Sequence, residues 1–355
     1  MVSDHGRRSG VKQSPRAVGA TSDSGGRAAR IRPRSRSIQS GWDVDHLAER
    51  VRGIDRRHRR TNSPWYPVTG SPSDSDGDRL TAKRRQLEHD GFCVVEGAID
   101  WENIEQLRTV TDRVIDAHDA GHFEDQRSTG SMISVCADAS MADLVTGPPV
   151  LTAFGDLGFP SPTFFGGYII SKPPGGPPLF WHQDWWGWDD DCSYRDPVLQ
   201  TFVMIYLVDT DRDNGCLRIV PRSHLRRTGL HDQLDVAHDE AIRRYENPDD
   251  PAFQAAAGEI DIPVRAGDLV FGDSRLLHAA HANRSDRRRT VITLWYFPQF
   301  ERMPEAVRAR AVEASGPLSD GWVEAAAPRL EPLLPRYDGQ APPIVWNRVP
   351  GSSLR

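Results

Sequence analysis

At 355 residues, with 38% hydrophobic and 26% charged side chains, the chain has apolar material for a substantial core but too much charge for a membrane protein. No run nears the roughly 18–20 apolar residues needed to cross a bilayer, and the first 40 residues lack the apolar stretch of a signal peptide. The net charge of −6 conceals an asymmetry, because residues 1–60 carry 15 Lys+Arg against 6 Asp+Glu, a net of +9 that leaves −15 for the rest.

Residues 1–78 read as a disordered extension, rich in Arg, Ser and Gly and poor in large apolar side chains. Within it, Val44, Leu47, Val51 and Ile54 recur at helical spacing, so a short helix is expected over 42–60. Order is expected to begin near Leu80, with a helix over Thr81–His89, a turn at Asp90-Gly91 and a strand over Phe92–Val95. A second helix follows from Trp101 to about Ala117, with Ile104, Leu107, Val110 and Ile115 on one face. From Phe164 onward short apolar runs alternate with turns, at 164–171, 198–208, 216–220, 260–264, 269–272 and 290–297. Helices followed by many short strands imply a mainly β domain, a sandwich or barrel flanked by N-terminal helices, over 79–302. Residues 303–355 begin with a helix over 305–313, end in a Pro-rich tail, and are expected to pack on the core. The four cysteines, Cys93, Cys136, Cys192 and Cys216, form no CxxC pair and read as reduced thiols of a cytoplasmic protein.

The informative stretch is Trp181-His182-Gln183-Asp184, with Leu277-His278 far downstream. On an extended strand residues i and i+2 point the same way, so His182 and Asp184 project an imidazole and a carboxylate to one side. A third ligand from a later strand completes a triangle on one face of a metal. Two His and one carboxylate leave positions open for a bidentate 2-oxo acid and O2, the arrangement that suits non-haem Fe(II) oxygenases. The turn Ala266-Gly267-Asp268 leads into a strand that delivers His278, and eleven residues later Arg289 opens the apolar strand Thr290–Tyr296. A guanidinium there can grip a carboxylate through two parallel hydrogen bonds, and the distal carboxylate of 2-oxoglutarate needs such an anchor.

The segments DGFCVVEGAID, SKPPGGPPLFWHQD, DNGCLRIVPRSH and AGDLVFGDSRLLHAAHANRSDRRRTVITLWY, in that order over residues 80–300, resemble the phytanoyl-CoA dioxygenase family of Fe(II)/2-oxoglutarate oxygenases. The resemblance implies a double-stranded β-helix (jelly-roll, cupin-like) core. It also implies Fe(II) held by His182, Asp184 and His278, Arg289 on the 2-oxoglutarate C5 carboxylate, and cosubstrate contacts from Gln183 and Tyr168. O2 is the oxidant and ascorbate the expected reductant. One departure is Ala280, two after the distal His, where relatives often carry a Ser.

Several residues have competing readings. His281 rivals His278, but the two face opposite sides of a regular strand, and the resemblance together with the step to Arg289 favours His278. His224 reads as structural, and Arg287 and Arg288 as solvated. Trp185, Trp186 and Trp188 either pack as core or wall the substrate pocket, with the acidic run Asp189–Asp191 at its mouth. A negative rim on a core of net charge −15 disfavours polyanions such as an acyl-CoA. The expected substrate is therefore a neutral or cationic small molecule, hydroxylated with release of succinate and CO2. Two other readings are a catalytically silent jelly-roll scaffold and a nucleic-acid-directed oxygenase delivered by the basic tail. No membrane partner is expected.

Overall fold

The computed structural model describes residues 74–355, apart from 235–238, 316, 317 and 319. The helix expected over 42–60, and nearly all of the N-terminal extension, lie outside the described residues. The first described helix spans Asp74–Asp90, starting earlier than the sequence pattern suggested. Ten strands follow in chain order: β1 (Phe92–Val95), β2 (Ile133–Ser134), β3 (Thr163–Lys172), β4 (Leu179–His182), β5 (Thr201–Tyr206), β6 (Leu217–Ile219), β7 (Ile260–Ile262), β8 (Leu269–Asp273), β9 (His278–Ala280) and β10 (Arg289–Phe297).

The strands form two antiparallel sheets, a six-stranded one in the order β1-β8-β5-β10-β3-β2 and a four-stranded one in the order β4-β9-β6-β7. From β3 to β10 successive strands alternate between the two sheets, with only β6 and β7 consecutive in one, which is the winding of the double-stranded β-helix. The fold is thus mostly sheet with flanking helices, as the sequence indicated.

Alternation along each strand decides which side chains reach the interior. On β10, Val291 and the neighbouring odd positions face the four-stranded sheet. They join Phe202, Met204 and Tyr206 of β5, Val270 of β8, and Leu217, Ile219 and Ile262 opposite. The even positions Ile292, Leu294 and Tyr296 face outward into a second core with Ile104, Leu107 and Val114 of the helix Trp101–Asp116. Asp100 caps that helix, its carboxylate accepting from Asn103 N. Phe154 and Trp322 belong to the same outer core. Gly267 turns the chain into β8 at φ +91°, and a Cβ there would meet Ile99 O at 2.3 Å, so the turn excludes any larger residue.

The C-terminal segment adds helices over Glu305–Ala314 and Asp320–Leu330, the latter carrying Pro328 within it. Trp322 donates to Asp138 O at 2.8 Å and Leu354 is buried, so both ends of this segment are fastened to the domain. Among the described residues no helix is long and apolar enough to cross a membrane.

Candidate active site

β4 and β9 pair with His182 opposite His278, which brings the two imidazole rings to a centroid separation of 4.1 Å. Asp184 falls two residues past the end of β4, beyond the reach of strand geometry. Its position is set instead by Ser274 O, which accepts from both Asp184 N and Trp185 N at 2.8 Å. The carboxylate therefore faces both rings, with Oδ1 3.5 Å from His182 Nε2 and Oδ2 3.6 Å from His278 Nε2. One ligand atom from each of the three lies within 4.8 Å of the others, and all three residues are buried.

Hydrogen bonds orient each ligand. His182 Nδ1 lies 3.0 Å from Phe180 O and His278 Nδ1 3.0 Å from Leu276 O. A carbonyl can only accept, so each Nδ1 carries the proton and each Nε2 presents its lone pair toward the triangle. Trp295 Nε1 donates to Asp184 Oδ2 at 2.9 Å. Burial, reinforced by the neighbouring His278, pushes the His182 pKa down to about 3, so the ring is neutral at physiological pH as a metal ligand must be. Burial acts to raise the Asp184 pKa, but His278, His182, Arg348 and the Trp295 hydrogen bond together hold it below the usual carboxylate range. Phe180 and Phe202 flank the imidazoles at ring separations of 5.1 and 4.6 Å and supply an apolar wall.

Arg289 opens β10 opposite Lys172 of β3 and faces the interior, with its guanidinium 6.0 Å from the Tyr206 ring centroid. It is only 3% exposed, and its Nε has no hydrogen-bond partner among the described residues. Burial pulls its pKa down, with Tyr206 and Cys216 partly offsetting this. The adjacent Lys172 is also buried, and its Nζ donates to the carbonyls of Ser128 and Pro177. Thr293, on the same face of β10, has a buried hydroxyl with no partner. A buried guanidinium without a described carboxylate beside it, and an unused hydroxyl on the same face, suit the interior to an anion.

The profile of the phytanoyl-CoA dioxygenase (PhyH) family matches residues 87–291, more than half of the chain. This chain belongs to the PhyH family. It is 28% identical over 152 residues to phytanoyl-CoA dioxygenase 1 of Oryza sativa subsp. japonica, covering 42% of this chain and 49% of that protein. It is 29% identical over 131 residues to a probable alpha-ketoglutarate-dependent hypophosphite dioxygenase of Stutzerimonas stutzeri, covering 36% of this chain and 42% of that protein. The chain spans under half the length of these curated relatives. Among solved structures it is similar to the non-heme alpha ketoglutarate dependent epimerase SnoN from nogalamycin biosynthesis, with a TM-score of 0.47 and 19% identity over 62% of this chain and 83% of that one.

In this PhyH-family chain the other residues singled out from sequence fall in varied places. Tyr168 pairs with Thr293 in register and lies edge-on to Trp295 at 5.8 Å, four positions along β3 from the level of Arg289. Gln183 is turned to another task, its Nε2 donating to Arg275 O. Trp185, Trp186 and Trp188 are at most 1% exposed and pack with Phe297, Phe300 and Met303, the packing arrangement of the two readings weighed for them. His281 faces away from the triad and bonds Asp261 Oδ1 at 2.6 Å. His224 is buried with Nε2 3.2 Å from Glu88 O, and Arg287 is exposed. A cleft of about 900 Å³ lined by Arg84, Arg85, Arg222 and Arg226 contains none of the triad.

Three features were missed from sequence. Arg348 enters from the C-terminal tail close enough to influence Asp184 and Tyr168. The Gln200 amide is buried with neither end partnered. Arg275 is an internal strut, paired with Asp273 at 2.7 Å and bonded to the carbonyls of Ser193, Arg195 and Pro197. None carries a local sequence signal, since each depends on contacts between distant segments.

Proposed function

We propose that this chain is an Fe(II)- and 2-oxoglutarate-dependent oxygenase that hydroxylates a small organic molecule, with release of succinate and CO2. One observation carries the reading. A buried His-Asp-His triangle shares the sandwich interior with a buried arginine that has no anionic partner among the described residues. A desolvated guanidinium without a counter-ion is costly, and a dicarboxylic cosubstrate supplies what it lacks.

The donor set fits the metal. Two neutral imidazoles and one carboxylate on one face match the preference of Fe(II) in oxygenases and leave open positions for a 2-oxo acid and O2. Bound there, iron supplies O2 activation coupled to oxidative decarboxylation of the 2-oxo acid. The chain does the rest. Phe180 O and Leu276 O fix the two rings, Trp295 aims the Asp184 carboxylate, and Phe180 and Phe202 keep water from the ligand side. Arg289 clamps the distal carboxylate of the cosubstrate, with Thr293 four positions further along the same face of β10. Ascorbate serves as reductant in the assay. The cysteines form no CxxC pair, which supports a reducing, cytoplasmic setting.

The experiment is succinate formation from 2-oxoglutarate by purified protein with added Fe(II) and ascorbate. The wild type is expected to turn over, and H182A and D184A to lose all turnover. Equal succinate production by either variant contradicts the assignment.

A further inference from the structure

The last stretch of the chain forms a strap across the segment that follows the His182/Asp184 pair. Gly187 and Asn347 make a parallel bridge, in which Asn347 N donates to Trp186 O at 2.8 Å and Trp188 N to Asn347 O at 3.4 Å. Asn347 Nδ2 also donates to Asp189 Oδ1 at 2.6 Å. One residue earlier, Trp346 stacks on Trp186 at 5.0 Å and 12° between planes. Further anchors lie beyond: Gly351 N donates to Tyr194 Oη at 2.9 Å, and Arg227 N to Arg355 O at 2.6 Å. The strap is thus held on both sides of Arg348, against a segment that begins just after Asp184.

Arg348 is the residue this strap delivers. Its Nη1 is buried and has no hydrogen-bond partner, and no ion pair among the described residues includes it. The Trp346 ring, 5.5 Å from Cζ, braces one side of the guanidinium. Asp184 and Tyr168 both lie within range of its charge. Asp184 is already committed, to Trp295 Nε1 and to the His182/His278 triangle. The Tyr168 hydroxyl makes no hydrogen bond among the described residues. The strap therefore fixes a cation with donor capacity to spare a few residues along from the metal motif, since its neighbour Asn347 is bridged to Gly187.

We infer that Arg348 is a specificity-determining residue, receiving a carboxylate of the substrate beside the metal centre, with Tyr168 as a second donor. This rests on the oxygenase reading for the word substrate, while the anion site itself rests on the strap. A planar two-donor edge matches a carboxylate, and the strap fixes it before the ligand arrives, so less order is lost on binding. Arg289 serves the cosubstrate from inside the sandwich, and Arg348 serves the substrate from the strap. The sequence pointed instead to a neutral or cationic substrate, from the summed charge of the core. That field is long-ranged and screened by salt, whereas an unpaired guanidinium within the site decides the local preference. A substrate carrying one carboxylate, with the rest of the molecule neutral or cationic, satisfies both.

The test uses the full chain, anaerobic and Fe(II)-loaded, titrated calorimetrically with benzoate and hexanoate and with their primary amides. Wild type is expected to bind the acids and to bind the amides at least about tenfold more weakly. Arg348→Gln should abolish that preference, Arg348→Lys should keep part of it, and 2-oxoglutarate binding in R348Q should stay within about twofold of wild type. In Arg289→Gln the pattern reverses, with 2-oxoglutarate binding lost and acid binding retained. The inference is overturned if neither acid binds the wild type, if R348Q keeps the preference for acids, or if R348Q loses 2-oxoglutarate as R289Q does. Near-UV circular dichroism of R348Q reports whether the Trp186–Trp346 stack survives the substitution. Should wild type form no succinate yet still bind acids through Arg348, the oxygenase reading falls and the anion site stands.

Discussion

Trp295→Phe isolates the hydrogen bond that aims the Asp184 carboxylate. Trp295 points inward from β10 and its Nε1 donates to Oδ2 at 2.9 Å. Phe keeps an aromatic ring against Tyr168 but removes the donor. A hydrogen bond to a charged acceptor contributes about 1.5–3 kcal/mol. Trp295 is partly exposed, so water can replace part of that, and the lower half of the range applies. At 1.4 kcal/mol per decade, Fe(II) affinity should fall roughly tenfold, within the 10- to 100-fold typical for partners that orient a metal ligand. The assay is an anaerobic competition titration of Fe(II) against a chromophoric chelator, with circular dichroism to show that the variant is folded. An affinity within twofold of wild type in a folded W295F would refute the reasoning, because the carboxylate would then be held without the indole.

Three further outcomes follow from other parts of the molecule. Arg275→Leu leaves Asp273 charged in a site where both partners are 0% exposed, together with three carbonyls deprived of donors. Urea unfolding should show a loss of about 3–5 kcal/mol, and a loss below about 1 kcal/mol would contradict the strut. Gly272→Ala puts a methyl 2.0 Å from the Phe202 ring, which itself lies 4.6 Å from the His278 ring. It should cost about 1–3 kcal/mol of stability and weaken Fe(II) binding, and normal metal affinity would show that Phe202 can yield without disturbing His278. His231 accepts from Thr228 N at 3.0 Å and must be neutral to do so; burial, with Arg227 nearby, pushes its pKa down to about 4. The unfolded chain therefore binds the proton first, so the His231 contribution is complete above the unfolded pKa near 6.5 and is lost as the pH falls through about 4. His231→Gln should flatten the fall in Tm of metal-free protein over that window, and an unchanged slope would remove His231 from the account.

The strands were legible because their signal is local. A short, nearly continuous run of β-branched and aromatic residues over Val291–Phe297, bounded by a polar loop and Pro298, specifies a strand buried on both faces before any partner is known. The triad was legible for a related reason, since His182 and Asp184 are neighbours in sequence and His278 follows a recognisable turn and strand. Even so, the strand argument reached the right place for Asp184 by a different route. β4 ends at His182, and the carboxylate is aimed by Ser274 O and Trp295, which no pattern around residue 184 reveals. The bond from Gln183 to Arg275 O, ninety-two residues away, likewise has no sign in the sequence. Trp185, Trp186 and Trp188 carry no sign in sequence of whether they line a pocket or fill a core, because their packing is with Phe297, Phe300 and Met303, more than a hundred residues away. Arg348 was invisible because a Pro-rich tail has no period from which to read a destination. Its place is set by hydrogen bonds from Asn347 to residues 186–189.

The most direct measurement of the central claim is the binding of 2-oxoglutarate under anaerobic conditions with and without Fe(II), in wild type, H278A and R289Q. Metal held by the triad and a dicarboxylate held by Arg289 require that wild type bind one equivalent tightly only when Fe(II) is present, and that each variant lose this. Binding that ignores both the metal and Arg289 would contradict the account.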